Sequence, residues 1–268
     1  MRKVVATSVA DLRKRPSHSS ELVSQGLMGT EVEILGRNRT GTWLKVALPD
    51  GYAGWMRSWY LSVRKPARRN REVLVGAALT FVRERPLETS HGLTDAVMGS
   101  RLTAAGAKGS WVRVLLPDGR KGWIRKKDLL LGPRRGEGSA ESVVRTARSL
   151  LGVQYLWGGK SVKGFDCSGF VQFVFELNGL SLPRDSRDQF RSGSRISWPR
   201  GKDRLLAGDL LFFGKKGKAI SHVAIYIGSG RMIHCQGQVR MGSVRGGTGL
   251  YDASLMRLFR GARRIIFN

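Results

Sequence analysis

An internal repeat constrains the first half of this chain more than any other feature. Leu12-Arg13-Lys14-Arg15-Pro16 returns seventy residues on as Val82-Arg83-Glu84-Arg85-Pro86, and Met28-Gly29 returns at the same offset as Met98-Gly99. Trp43, Pro49-Asp50-Gly51 and Gly54-Trp55 return sixty-eight residues on as Trp111, Pro117-Asp118-Gly119 and Gly122-Trp123. One short deletion accounts for the change of offset. Within each copy an alternating stretch, Trp43 to Leu48 or Trp111 to Leu116, runs into a Pro-Asp-Gly turn and then a Gly-Trp stretch. Alternation closed by such a turn predicts a β-hairpin. Units of about sixty residues built of such hairpins suggest small barrels.

The two units resemble bacterial SH3 domains, modules that accompany cell-wall enzymes. Their expected bounds are residues 1–66 and 72–132, with a third, different domain over 139–268. The Arg- and Lys-rich stretch Arg64 to Arg71 separates the repeats. Gly132-Pro133-Arg134-Arg135-Gly136-Glu137-Gly138 reads as a linker.

Charge is the most conspicuous property and the least specific. The net charge is +27, and its excess of +8, +7 and +12 over residues 1–70, 71–136 and 137–268 is spread along the chain. A nucleic-acid binder gathers its cations on one face or arm, so nucleic acid is not the expected partner. An even spread fits work beside a polyanionic surface such as a cell-wall polymer or anionic headgroups. The longest uncharged apolar run near the front, Val73 to Val82, has ten residues, about half of the ~20 that a spanning helix needs. Charge at Asp11, Arg13, Lys14 and Arg15 leaves no room for the apolar part of a secretory signal. The expected location is therefore the cytoplasm, an exported, mature form being the other possibility.

The chemistry gathers in the third domain. Ser139 is expected to cap a helix that runs through Leu150-Leu151 to Gly152. Asp166 is expected to cap a second one, whose apolar face is Phe170, Val171, Phe173, Val174 and Leu177, and Asn178-Gly179 ends it. Cys167 then lies in the first turn of a buried helix. The helix dipole there favours a thiolate, and the unpaired N–H groups offer an oxyanion hole. The β-branched run Ile220 to Ile227 and the return through Arg231 to Cys235 form a hairpin about Ser229. On it His222 and His234 are expected roughly opposite each other on one face. One imidazole would take the thiol proton and the second would fix its tautomer. Cys235 falls on the other face and reads as core. With two cysteines no disulfide framework is expected, and the His222/His234 spacing matches no common metal motif, so neither a metal nor a cofactor is expected.

Tyr155-Leu156-Trp157-Gly158-Gly159, Phe165-Asp166-Cys167-Ser168-Gly169-Phe170, Leu182-Pro183-Arg184-Asp185-Ser186, Gly208-Asp209-Leu210-Leu211-Phe212-Phe213 and Ser221-His222-Val223-Ala224-Ile225-Tyr226 stand in this order over roughly residues 140–267. Together they resemble the NlpC-type cell-wall peptidases, which are papain-like. The resemblance implies an α+β catalytic domain with a helix packed on an antiparallel sheet, following two SH3-like β-barrels. With those repeats in front, the chain resembles the enzymes that cleave γ-D-glutamyl-diamino acid bonds in murein peptides bearing a free N-terminal L-Ala. By the same resemblance Asp166, Ser168 and Ser186 contact the peptide. Glu21 and Tyr52 of the first repeat, or Tyr60 in place of Tyr52, close one end of the groove. A buried Asp166 aimed at an ammonium would reject a blocked N-terminus by leaving its own charge unpaired. The competing reading is a non-catalytic cell-wall or polyanion adaptor.

Overall fold

The computed structural model describes residues 1–63, 72–130, 138–199, 201–202 and 204–266. Both expected linkers, Arg64 to Arg71 and Gly132 to Gly138, fall outside these residues except for Gly138. The chain divides into two compact units, Met1–Pro133 and Arg134–Asn268.

In the first unit the repeat of the sequence is a repeat of topology. The first copy consists of β1 (Arg2–Val5), β2 (Val9–Arg13), β3 (Leu22–Leu27), β4 (Glu31–Arg37), β5 (Trp43–Ala47), β6 (Ala53–Arg57) and β7 (Leu61–Val63). The second consists of β8 (Glu72–Val75), β9 (Leu79–Arg83), β10 (Gly92–Val97), β11 (Arg101–Lys108), β12 (Trp111–Leu115), β13 (Lys121–Arg125) and β14 (Leu129–Leu130). The sheet orders, β3-β2-β6-β5-β4-β1-β7 and β10-β9-β13-β12-β11-β8-β14, are the same order shifted by one copy.

The repeated residues are the ones this geometry needs. Gly51 and Gly119 take φ of +80° and +94° in the hairpin turns, where a Cβ would be strained. Asp50 and Asp118 accept the backbone N–H two residues on, at 2.9 and 3.0 Å, which is the turn chemistry of aspartate. Gly54 and Gly122 cross a neighbouring strand so closely that a Cβ would lie 2.9 Å from the carbonyl of Arg13 or Arg83. Arg57 and Arg125 stack on Trp43 and Trp111 at 5.1 and 4.4 Å.

The two copies are not independent. Met28, fully buried, belongs to the apolar core of the second copy with Val75, Val82 and Val114. Its carbonyl accepts the N–H of Arg101 at 2.8 Å. They form one compact unit rather than two free barrels.

The second unit is α+β, as expected. It holds α1 (Ala140–Ser149), β15 (Lys160–Ser161), β16 (Gly164–Phe165), α2 (Cys167–Leu177), α3 (Ser186–Gln189), β17 (Ser194–Ile196), β18 (Leu210–Phe213), β19 (His222–Gly228), β20 (Arg231–Gln236), β21 (Gln238–Ser243), α4 (Ala253–Arg257) and β22 (Phe259–Arg264). Ser139 caps α1 by accepting from Ser142 N–H at 3.2 Å. The main sheet runs β17-β22-β18-β19-β20-β21, with antiparallel pairs throughout. The chain's last strand is thus inserted inside the sheet. Helix α2 lies against β19 and β20, and Phe165, Phe170, Phe173, Phe175, Phe212 and Phe213 are fully buried. Burial of that much aromatic surface is what holds helix and sheet together. Among the described residues no helix is long and apolar enough to cross a membrane.

Candidate active site

The nucleophile's position is set by an aspartate cap. Asp166 has extended backbone (φ −89°, ψ 178°), and its Oδ1 accepts the N–H of Gly169 at 2.6 Å. That starts α2 at Cys167. The first turn then presses on the preceding loop. A Cβ at Gly169 would come within 2.1 Å of the Gly159 carbonyl, and one at Gly159 within 2.3 Å of the Gly164 carbonyl, so each motif, Trp157-Gly158-Gly159 and Cys167-Ser168-Gly169, needs its glycine, at a different contact.

The Asp166 carboxylate also meets a residue to which the sequence reading gave no role. Arg184 donates to Oδ1 at 3.0 Å and to Oδ2 at 2.5 Å, and to Ser168 Oγ at 3.0 Å. The Gly158 N–H and the Ser168 hydroxyl add bonds at 3.0 and 3.3 Å. Five donors therefore converge on a carboxylate with about four lone-pair sites. The expectation that a blocked N-terminus would leave the Asp166 charge unpaired is corrected. Its charge is matched by the buried Arg184, a bidentate pair within a low-dielectric region. Ser168 Oγ, donating once and accepting once, keeps one lone pair open. Ser186 opens α3 and is half-buried.

Cys167 is free, not bridged to Cys235. Its sulfur lies 3.9 Å from the carbonyl of Ser221, with the backbone N–H groups of Val223 and Ser168 near enough to favour its anion. It therefore sits against the backbone on both sides of His222. With the Gly169 N–H given to Asp166, the N–H groups of Cys167 and Ser168 remain the first-turn donors for an oxyanion.

Burial and the neighbouring Asp166 charge push the Cys167 thiol up to about 11, against the backbone donors and Arg184. Burial thus opposes the thiolate that the helix terminus favours. The helix terminus does favour the anion, but a sulfur only 9% exposed loses more by desolvation. Tyr155, on the loop before β15, is pushed up to about 12 by burial and by the charges of Cys167 and Asp166. It is a second residue of the site that the sequence reading quoted in a motif without assigning a role.

His222 and His234 do share a face. The register pairs His234 with Ala224, which makes the two histidines diagonal neighbours rather than direct partners, and a bulge falls between Tyr226 and Gly228. His222 Nε2 and His234 Nδ1 are 2.9 Å apart, with rings nearly perpendicular at 85°. One proton lies between them. For Nδ1 of His222 to act as a base, that proton must be on its Nε2 and point to His234. Phe213 packs on the His222 ring at 5.9 Å. Cys235 is fully buried and donates to the Phe165 carbonyl at 3.1 Å, the core role expected of it.

Burial, with His234 and Arg240 adding, pushes His222 down to about 3. Burial and Arg240, opposed by Asp252, push His234 down to about 4. Both imidazoles are neutral in the folded chain well below the value of about 6.5 that they have when unfolded. Between about pH 6.5 and 4 the unfolded chain binds protons that the folded chain refuses, so stability falls as pH is lowered through that window. The loss is expected to be on the order of 2–4 kcal/mol. Calorimetric melting from pH 7 to 4 should show a clearly shallower decline for His234→Gln than for the wild type. Parallel curves would contradict the assignment.

Among the described residues no three His, Cys, Asp or Glu side chains gather so as to hold a metal ion. Cys167, His222, His234, Asp166 and Arg184 all belong to the second unit. In the first, Glu21 is exposed and paired with Lys14 at 3.0 Å, while Tyr52 and Tyr60 pack on the core of the first copy.

Comparison with known proteins agrees with this construction. Residues 152–255 match the NlpC/P60 family and residues 12–59 the bacterial dipeptidyl-peptidase Sh3 domain. The chain is 34% identical to the gamma-D-glutamyl-L-lysine dipeptidyl-peptidase of Bacillus cereus, over 81% of this chain and 68% of that protein. It is 33% identical to the protein of the same name in Bacillus subtilis, over 79% and 71%. The crystal structure of an NlpC/P60 family protein from Bacillus cereus superposes with a TM-score of 0.84 at 27% identity, covering 99% of both chains. With two SH3-like barrels, a papain-like α+β domain and a cysteine at the start of its buried helix, the chain belongs to the NlpC/P60 family of cysteine peptidases.

Proposed function

We propose that this peptidase hydrolyses the amide between γ-D-glutamate and a diamino acid in murein peptides with a free N-terminal L-Ala, in peptidoglycan turnover or recycling. The observation that carries the reading is the site itself: Cys167 beside the backbone of His222, and His222 held at 2.9 Å by His234. The substrate class is supported by the relatives called gamma-D-glutamyl-L-lysine dipeptidyl-peptidases, which align along most of the chain.

The reaction follows from the neutral resting pair. The Cys167 thiol gives its proton to Nδ1 of His222 as the sulfur attacks the amide carbon, and the oxyanion meets the Cys167 N–H. As the C–N bond breaks, the imidazolium returns the proton to the leaving amine. Water then enters, His222 removes its proton, and the thioester opens to a free γ-carboxylate and the thiol. His234 stabilises the transient imidazolium and holds its tautomer.

Ser168 and Ser186 are the residues we assign to the peptide on the acyl side, and Glu21 and Tyr52 to its free amine. Mass spectrometry of L-Ala-γ-D-Glu-diamino acid peptides tests this. The free peptide should be cleaved at least about 100-fold faster than its N-acetylated form, and Glu21→Gln should narrow that ratio. Equal rates on free and acetylated peptides would reject the N-terminal requirement.

A further inference from the structure

Beyond His234 the sheet continues to β21, and there Arg240 is the direct cross-strand partner of His234. Cross-strand partners project to the same side, so β19, β20 and β21 present His222, His234 and Arg240 in sequence on one face. Beside them, between β21 and residues 249–253, opens a cleft of about 580 Å³ lined by Arg240, Met241, Leu250, Tyr251 and Asp252. Arg240 is exposed, and its guanidinium makes no hydrogen bond or ion pair among the described residues. Asp252 caps α4 with Oδ1, which accepts the Leu255 N–H at 2.9 Å, and leaves Oδ2 without a bond. Leu250 and Tyr251 are 46% and 37% exposed, apolar surface left uncovered at the same place.

We propose that this cleft is the subsite for the residue on the leaving side of the scissile bond, with Arg240 binding that residue's carboxylate and Asp252 its side-chain ammonium. The inference rests on the reaction proposed above. The acyl group stays on the sulfur while the leaving nitrogen must take a proton from His222. The leaving residue therefore lies beside the His222 ring, and the charges of Arg240 and Asp252 are close enough to act on this histidine pair, Arg240 on both rings and Asp252 on His234.

The chemistry matches group for group. Once its α-nitrogen is in the scissile amide, a terminal lysine keeps one carboxylate, one ammonium and a methylene chain between them. The cleft offers one cation, one carboxylate oxygen and apolar wall. An anionic polymer would meet repulsion from Asp252, which argues for a zwitterionic residue here rather than a polyanion.

Three substrates separate the contributions: L-Ala-γ-D-Glu-L-Lys, the same peptide ending in lysinamide, and the same peptide with norleucine for lysine. The full chain should prefer the first over each of the others by about tenfold in kcat/KM, mainly through KM. Arg240→Gln should lose the preference for acid over amide and keep that for lysine over norleucine. Asp252→Asn, which can still cap α4, should do the reverse, and Arg240→Lys should restore part of the carboxylate preference. A variant that slows all three substrates in the same proportion would show a merely structural role and overturn the proposal. If the wild type cleaves all three equally, the subsite falls while the peptidase reading stands. If it cleaves none, the peptidase reading falls and takes the subsite with it.

Discussion

Cys167→Ala is expected to remove hydrolysis of the γ-D-glutamyl peptide by about 10⁴-fold or more, while the folded chain persists. The thiol is the atom that must become bonded to carbon, and no neighbouring group can replace it. Sulfur to hydrogen at a site 9% exposed removes little volume, so the stability change should stay within about 1 kcal/mol. Cys235→Ala is the matched control. Cys235 is fully buried and lies close enough to add to the electrostatics of the site, but its sulfur is turned to the Phe165 carbonyl. It should cost about 1 kcal/mol of stability and leave turnover within a few-fold. Steady-state kinetics on both variants decides the matter. Residual turnover in Cys167→Ala, or its loss in Cys235→Ala, would move the nucleophile elsewhere.

Arg184→Met is expected to be the most destabilising single change near the site. It leaves the Asp166 carboxylate, itself 9% exposed, with backbone and hydroxyl donors but no counter-charge. Removing one partner of a buried pair costs about 3–5 kcal/mol. The charge left behind caps the helix that carries Cys167, so activity should fall with stability. Adding Asp166→Asn should restore part of the loss, because the amide oxygen still accepts and no charge is stranded. Urea unfolding of the two single variants and the double variant measures this coupling. If Arg184→Met unfolds within about 1 kcal/mol of the wild type, the pair is not holding the site.

These expectations differ in how much of them a reader of the sequence could reach. The hairpins of the two barrels were legible because their turns announce themselves locally. An aspartate bonds to the backbone two residues on, and a glycine takes a left-handed φ, whatever surrounds them. The same holds for the caps Ser139 and Asp166, and for the shared face of His222 and His234, where alternation requires no knowledge of the partner strand. The union of the barrels was not legible. Nothing local tells Met28 to enter the core of the other copy.

The sequence by itself thus determined the elements, their turns and caps, and the type of chemistry at Cys167. Tertiary structure decided the state of that chemistry. Arg184 meets Asp166 across eighteen residues, the last strand slides inside the sheet, and β21 carries Arg240 beside His234. Burial raises the thiol and lowers the imidazoles, where a helix terminus alone would have favoured a thiolate. The physical reason is range. Turns, caps and periodicity act between neighbours in the chain, whereas desolvation and ion pairing depend on which distant segments close over a group.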